Sequence, residues 1–424
     1  MRFDSFPFGR PEELNEPAVV ATYLASGTSY GEVLARAGSF AVGQSIGTWV
    51  EVPGISEGMI RHYQARVLSV MEAGPEAEDM CSRFVLRIAF PMVNFGGSLT
   101  MLLTALVGND VSTALRARLV DLEFVCGGTE NFSGPSKGIA ELRELTGVWD
   151  RPLVLNMIKP CAGFTPAEGA KLFEQVALGG VDLIKDDELL ASPDYNPVLE
   201  RYRAYAETAK AVFEKTGRRP LYLPNLSGTP SQVMECAAAL CDAGAKACLV
   251  NFVFGGLDTL LELTRRFGDR LFILGHYAGA AVMSGRDSGI ANHVMLGVLP
   301  RLAGAHGVMT MAPQMDVPAT LFDFWRTVQA QRLPMGPLAP MTATVGGGIT
   351  PVSQAVYQRE LGADAIIGIG GAIQGHPMGA RAGAQAAMAA VKATAQGIPL
   401  REAAVCCEPL AQALRLWSGE GERA

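Results

Sequence analysis

From about residue 150 onward one unit recurs eight times: a short apolar run that can form a strand, then a longer amphipathic or alanine-rich run that can form a helix. The strand candidates are Leu153 to Ile158, Val181 to Lys185, Leu221 to Leu223, Ala247 to Phe252, Leu271 to Leu274, Val308 to Met311, Ala343 to Val345 and Ala365 to Ile369. The runs between them carry helix-start signals. Thr165 precedes Pro166 to Leu178 and Thr229 precedes Pro230 to Ala243, each a hydroxyl cap with proline at the first helical position. Strands joined by helical crossovers lie parallel, and eight in one direction close into a (β/α)8 barrel.

Such a barrel accounts for only part of 424 residues. Residues 1–145 mix strands such as Phe84 to Phe90 with helical stretches such as Met101 to Val107, show no parallel repeat, and read as a separate α+β domain. Residues 146–424 hold the barrel and, after about 398, a helical tail expected on its outside. Hydrophobic residues make up 49% of the chain and charged ones 18%, yet no apolar stretch is long enough to span a bilayer. The segment Met1 to Glu13 has no continuous apolar run after its basic residue, so we expect no secretory signal and a soluble, cytoplasmic protein. Cys81, Cys126, Cys161, Cys236, Cys241, Cys248, Cys406 and Cys407 form no C-x-x-C pair and lie near no histidine at zinc-ligand spacing; we expect reduced thiols. A net charge of −7 without a basic stripe argues against nucleic acid and for a small-molecule substrate, with no membrane partner.

Barrel enzymes place their chemistry where the strands end. Lys159, the string Lys185-Asp186-Asp187-Glu188, Asn225, Asn251, His276, the run Gly346-Gly347-Gly348 and the pair Gly370-Gly371 all fall at or just after a strand candidate. Residues two apart share a strand face, so Lys185 and Asp187 point the same way and Glu188 joins them where the chain leaves the strand. Taken alone, the string is a solvated charge cluster; at a barrel top, where unpaired charges are costly, it becomes a candidate site. A cationic amine repels a metal. If Lys185 adds carbon dioxide, however, it becomes an anionic carbamate and joins Asp187 and Glu188 in offering three oxygens to one Mg2+. The cation then stabilises the charge that develops when a proton or carboxylate leaves the carbon beside a ketone. The glycines after the seventh and eighth strands offer backbone N–H groups to a phosphate, with Gly348, Gly370 and Gly371 as contacts, whereas either run alone would read as a tight turn. His276 is placed to bond a substrate hydroxyl or to serve structure; His62, His293 and His306 receive no role.

Five ordered motifs resemble the ribulose-bisphosphate carboxylase (RuBisCO) large chain, and more closely its RuBisCO-like relatives that do not fix carbon; the match covers nearly the whole chain. Gly47-Thr48-Trp49 resembles the G-T-W that completes the neighbouring subunit's phosphate site, which implies that role for Thr48 and Trp49. Gly108-Asn109 resembles the G-N whose asparagine reaches toward the metal, and Ile158-Lys159-Pro160 the I-K-P that holds a catalytic lysine. Gly179 to Glu188 resembles the G-G-x-D-x-x-K-D-D-E of the metal site. Gly370-Gly371 and Gly375-His376-Pro377-Met378-Gly379 resemble the G-G-G-x-x-G-H-P-x-G over the phosphate. The resemblance implies a ferredoxin-like α+β domain followed by a (β/α)8 TIM barrel. It also implies at least a homodimer with shared active sites, Mg2+ on an N6-carboxylysine at Lys185, and Lys159, Asn109 and His276 as catalytic residues.

Departures from the family pattern narrow the reaction. The loop after the sixth strand, Met309 to Asp316, has no lysine, so no carboxylation is expected. Tyr277, Val308 and Gly346 stand where an arginine, a histidine and a serine would hold a second phosphate, which leaves a substrate with one phosphate. Gly43 takes the place of a glutamate and Cys161 that of a second lysine. In the carboxylases the lysine matching Lys159 protonates the carbanion left by carbon-carbon cleavage, so our first expectation is decarboxylation of 3-oxo-isoapionate 4-phosphate in apiose and related sugar-acid catabolism. The alternative is methionine salvage, as a 5-methylthioribulose-1-phosphate isomerase or a diketo-methylthiopentyl-phosphate enolase, with Tyr277, Val308, Met309 and Met315 against the methylthio group. Those enolases resemble one another in placing a lysine where this chain has Asn109, which counts against that branch. A non-catalytic protein on the same scaffold is a third reading, and the retained Lys185, Asp187 and Glu188 argue against it.

Overall fold

The computed structural model describes residues 6–47, 52–75, 82–313 and 318–418. They fall into two compact units: the chain up to Gly134 with the segments Gly279–Ala303 and Leu333–Ala339, and the remainder from Pro135.

In the first unit, β1 (Ala18–Gly27), β2 (Arg66–Pro75), β3 (Ser82–Pro91) and β4 (Ala117–Val125) form one antiparallel sheet in the order β2-β3-β1-β4. A helix over Tyr30–Gly43 links β1 to β2, and one over Leu99–Val107 lies between β3 and β4, which gives the βαββαβ arrangement of a ferredoxin-like domain. The alternation in β3 explains its packing: Phe84, Leu86, Ile88 and Phe90 are fully buried on one face. Val33, Ala37 and Phe40 of the first helix are buried as well, and the Phe40 ring meets Tyr23 and Phe90 edge-on at 5.5 and 6.2 Å.

The second unit is the barrel. Its strands are β5 (Leu153–Met157), β6 (Leu183–Lys185), β7 (Leu221–Leu223), β8 (Ala247–Val250), β9 (Phe272–Gly275), β10 (Gly307–Met311), β11 (Thr342–Gly346) and β12 (Ala365–Gly368). All pair in parallel in the order β7-β6-β5-β12-β11-β10-β9-β8, and a bridge between Asn225 and Leu249 joins the two ends. Leu153, Leu155, Leu183, Leu223, Leu249, Phe272, Leu274 and Ile366 belong to one buried cluster, with Leu142 from the helix Ile139–Thr146 packed among them. The helices Pro166–Leu178 and Pro230–Asp242 start in capping boxes, Thr165 with Glu168 and Thr229 with Gln232.

Two local features place the acidic string. Gly179 lies so close to the helix Ala380–Ala395 that a Cβ there would stand 2.2 Å from that of Ala384. Next to it, just before β6, Asp182 spends both oxygens on Arg151, at 2.6 and 2.8 Å, and on the Val154 N–H at 2.8 Å. At the chain's far end, the helices Leu400–Val405 and Glu408–Trp417 pack on Ala386 and Ala390 of Ala380–Ala395 through Ala404, Leu410 and Ala413. His376 Nε2 donates to the Pro409 carbonyl at 3.0 Å while Nδ1 accepts from the Met378 N–H. Among the described residues, no helix is long and apolar enough to cross a membrane.

Candidate active site

Leu183 and Lys185 share the face of β6 that looks into the barrel, and Lys185 ends the strand with no exposed surface. Its Nζ donates to the Asp186 carbonyl at 2.9 Å and lies 3.6 Å from Glu188 Oε2. Burial lowers the Lys185 pKa below the ordinary amine value, although Glu188, Asp187 and Asp186 act in the opposite sense. A neutral amine is the form that can add carbon dioxide.

Asp187 is 2% exposed and accepts from Lys159 Nζ at 2.5 Å; its other oxygen accepts from the Leu189 N–H. Lys159, just past β5, also donates to Cys161 Sγ at 3.1 Å. Burial works against the charge on Lys159, but the hydrogen bonds to Asp187 and Cys161 outweigh it and raise the pKa above that of an ordinary lysine. This amine therefore keeps its proton at neutral pH. His276, after β9, has Nε2 3.5 Å from Glu188 Oε2, and its Nδ1 accepts from the Ala278 N–H, which assigns the ring proton to Nε2. Burial, helped by Lys185 and Lys159, pushes its pKa down to about 2, so the ring is neutral. Tyr277 stacks on it with centroids 4.5 Å apart.

The fourth member of the string turns the other way. Asp186 points into the helix layer, where it accepts from Arg201 Nη2 at 2.9 Å, Tyr222 Oη at 2.6 Å and the Asn225 N–H at 2.9 Å. Arg201 is fully buried in the helix Val198–Thr216.

The glycine runs follow the adjacent strands β11 and β12. Gly347 and Gly348 have φ of +94° and +69°, a conformation that favours glycine. The N–H groups of Gly347, Gly348, Gly370 and Gly371 have no acceptor among the described residues. Asn156, buried in β5, donates to the Ile369 carbonyl at 2.8 Å and accepts from Gln374 Nε2 at 2.9 Å, which fixes the turn that presents Gly370 and Gly371.

Both units match family models: the N-terminal domain of the ribulose bisphosphate carboxylase large chain over residues 12–125, and its catalytic domain over residues 138–417. The chain belongs to the RuBisCO large-chain family. It is 36% identical over 412 residues to a ribulose bisphosphate carboxylase-like protein of Archaeoglobus fulgidus, covering 94% of each chain. Against the 2,3-diketo-5-methylthiopentyl-1-phosphate enolase of Geobacillus thermodenitrificans it is 33% identical over 406 residues, covering 94% of this chain and 98% of the relative. A solved RuBisCO-like protein (MtnW) of Alicyclobacillus acidocaldarius superposes with a TM-score of 0.86 at 35% identity, over 94% of this chain and all of that one. A dimeric archaeal RuBisCO from Hyperthermus butylicus gives 0.85 at 27% identity, over 94% and 96%. These likenesses make the chain a RuBisCO-like protein.

In this RuBisCO-like chain, then, Lys159, Lys185, Asp187, Glu188 and His276 come together, and Gly348, Gly370 and Gly371 line neighbouring turns. Asn109 belongs to the first unit, where it is exposed and donates to Asp110 Oδ1 at 3.2 Å. Thr48, Trp49 and Met315 lie outside the described residues. Among the described residues no three His, Cys, Asp or Glu side chains are grouped to hold a metal. The donor set suits Mg2+ only if Lys185 supplies the third anionic oxygen. Sequence reasoning left Asn225, Asn251 and Ser227 without roles; their position just after β7 and β8 was the only signal.

Proposed function

We propose that this RuBisCO-like chain is an Mg2+-dependent enzyme that forms and protonates the enediolate of a singly phosphorylated ketone. One observation carries the reading: a buried lysine whose charge is disfavoured lies beside Glu188, and the neighbouring Asp187 is paired with a second lysine that stays protonated. Asp187, Glu188 and a carbamate on Lys185 would hold the cation, which supplies charge stabilisation at the substrate's ketone oxygen when bound. Lys159 donates a proton to the reacting carbon or oxygen. His276 offers its Nε2–H to a substrate hydroxyl. The four unpaired glycine N–H groups hold the phosphate.

Likeness to the curated enolase favours 2,3-diketo-5-methylthiopentyl 1-phosphate as the substrate. Met311 beside the glycine run is in keeping with it: its Cγ stands 3.6 Å from where a Cβ on Gly347 would be, with the Tyr277 hydroxyl at the same distance. The second reading, decarboxylation of 3-oxo-isoapionate 4-phosphate, is favoured by a Lys159 that carries its proton and by Asn109 in place of a lysine. Both compounds should be offered to protein loaded with Mg2+ and bicarbonate. We expect the enol of the diketone; carbon dioxide release from the sugar acid alone would reverse the ranking, and turnover of neither would end both. We further propose a homodimer, in line with the dimeric relative; full activity in a monomer, measured by sedimentation alongside rate, would exclude shared sites.

A further inference from the structure

We infer that Asn225, just past the strand beside the acidic string, positions Asp187 and Glu188 as metal ligands; this rests on the proposed function only in taking those carboxylates as ligands. The last backbone rung between β6 and β7 is the Asp186 N–H to the Leu223 carbonyl at 3.2 Å. Beyond it the chain leaves the sheet: the Asp187 carbonyl keeps one backbone donor, the Leu190 N–H at 3.1 Å, and the Glu188 carbonyl turns to side chains. Asn225, with no exposed surface, bridges the two: its Nδ2 donates to Asp187 O at 3.3 Å and to Glu188 O at 3.2 Å, and its N–H holds Asp186 Oδ2 at 2.9 Å.

The amide is itself oriented. Asn225 Oδ1 accepts from the Ser227 N–H at 3.0 Å and from Ser227 Oγ at 2.6 Å, so a flipped amide would set donor against donor on one side and acceptor against carbonyl on the other. Ser227 Oγ in turn accepts from the Asn251 N–H at 2.8 Å, and Asn251 Nδ2 returns to Glu188 O at 2.9 Å. The ends of β7 and β8 thus form a ring of hydrogen bonds whose output is the direction in which two carboxylates leave the sheet. Glu188 depends on it more than Asp187, because its side chain is 29% exposed against 2% for that of Asp187.

Partners that orient ligands from behind typically account for 10–100-fold in metal affinity. The test is Mg2+ titration calorimetry in bicarbonate, with carbon-13 NMR of the Lys185 carbamate, on wild type, Asn225→Ala and Ser227→Ala. We expect Asn225→Ala to weaken Mg2+ binding about 10–100-fold and Ser227→Ala to weaken it less, since the amide remains but loses its clamp. A purely structural Asn225 would lower the melting temperature and leave the affinity of the folded protein unchanged, and that result would overturn the inference; if Asn225→Ala does not fold, Ser227→Ala decides on the same criterion. Wild-type protein that takes up neither Mg2+ nor carbon dioxide would sink the functional reading and this role with it.

Discussion

Four consecutive residues, Lys185 to Glu188, do two unrelated jobs. Strand alternation told which side Lys185 and Asp187 share, and that much was legible. The partner of Asp186 was not: Arg201 stands 15 positions later on a helix, and only the tertiary fold brings a guanidinium there. Removing one member of a buried pair leaves the other charge uncompensated. Asp186→Ala should therefore cost about 3–5 kcal/mol in urea unfolding through the stranded Arg201. Lys159→Met should do the opposite, leaving Mg2+ uptake in place while turnover falls by about 10²–10⁴, as measured by initial rates on the substrate that proves active.

At the level of elements, periodicity and caps were enough to find all eight barrel strands and to set the helix Pro166–Leu178. The differences are at the ends. β6 starts at Leu183 rather than Val181, and β8 stops at Val250 because Asn251 opens the short turn of helix Phe252–Gly255. Thr165 accepts from the Glu168 N–H, and Thr165→Ala should lower stability by about 1 kcal/mol in denaturant titration, without touching the site. Asn225 and Asn251 were visible as polar residues after strands, Ser227 was not singled out, and the roles of all three depend on which carbonyls lose their sheet partners, which spacing does not encode.

For the whole molecule, the barrel could be read from its eightfold repeat and the first domain as α+β from its mix of strands and helices, whereas its ferredoxin-like arrangement came only from the family resemblance. Asn109 could be tied to the site only through family likeness, since nothing local to it points to a metal. Global stability should depend on one residue that sequence left without a role. His306 knits the barrel floor: Nδ1 accepts from the Ile273 N–H, and Nε2 donates to Ser136 Oγ. Burial, with Lys137 adding to it, pushes its pKa down to about 3. The unfolded chain, with a histidine pKa near ~6.5, binds the proton first, so this contribution is complete above that pH and is lost as pH falls toward 3. Its slope is at most about 1.4 kcal/mol per pH unit. Unfolding curves of wild type and His306→Asn at pH 7 and pH 5 should converge on acidification; parallel shifts would refute this.

The bond from His376 to Pro409 ties the turn beyond Gly371 to the last helix of the chain. The helix Glu408–Trp417 is thus a strut under the turn proposed to hold the phosphate, and on that proposal a nick or a truncation near residue 408 would be felt as weaker grip on the substrate rather than as a change in the chemistry.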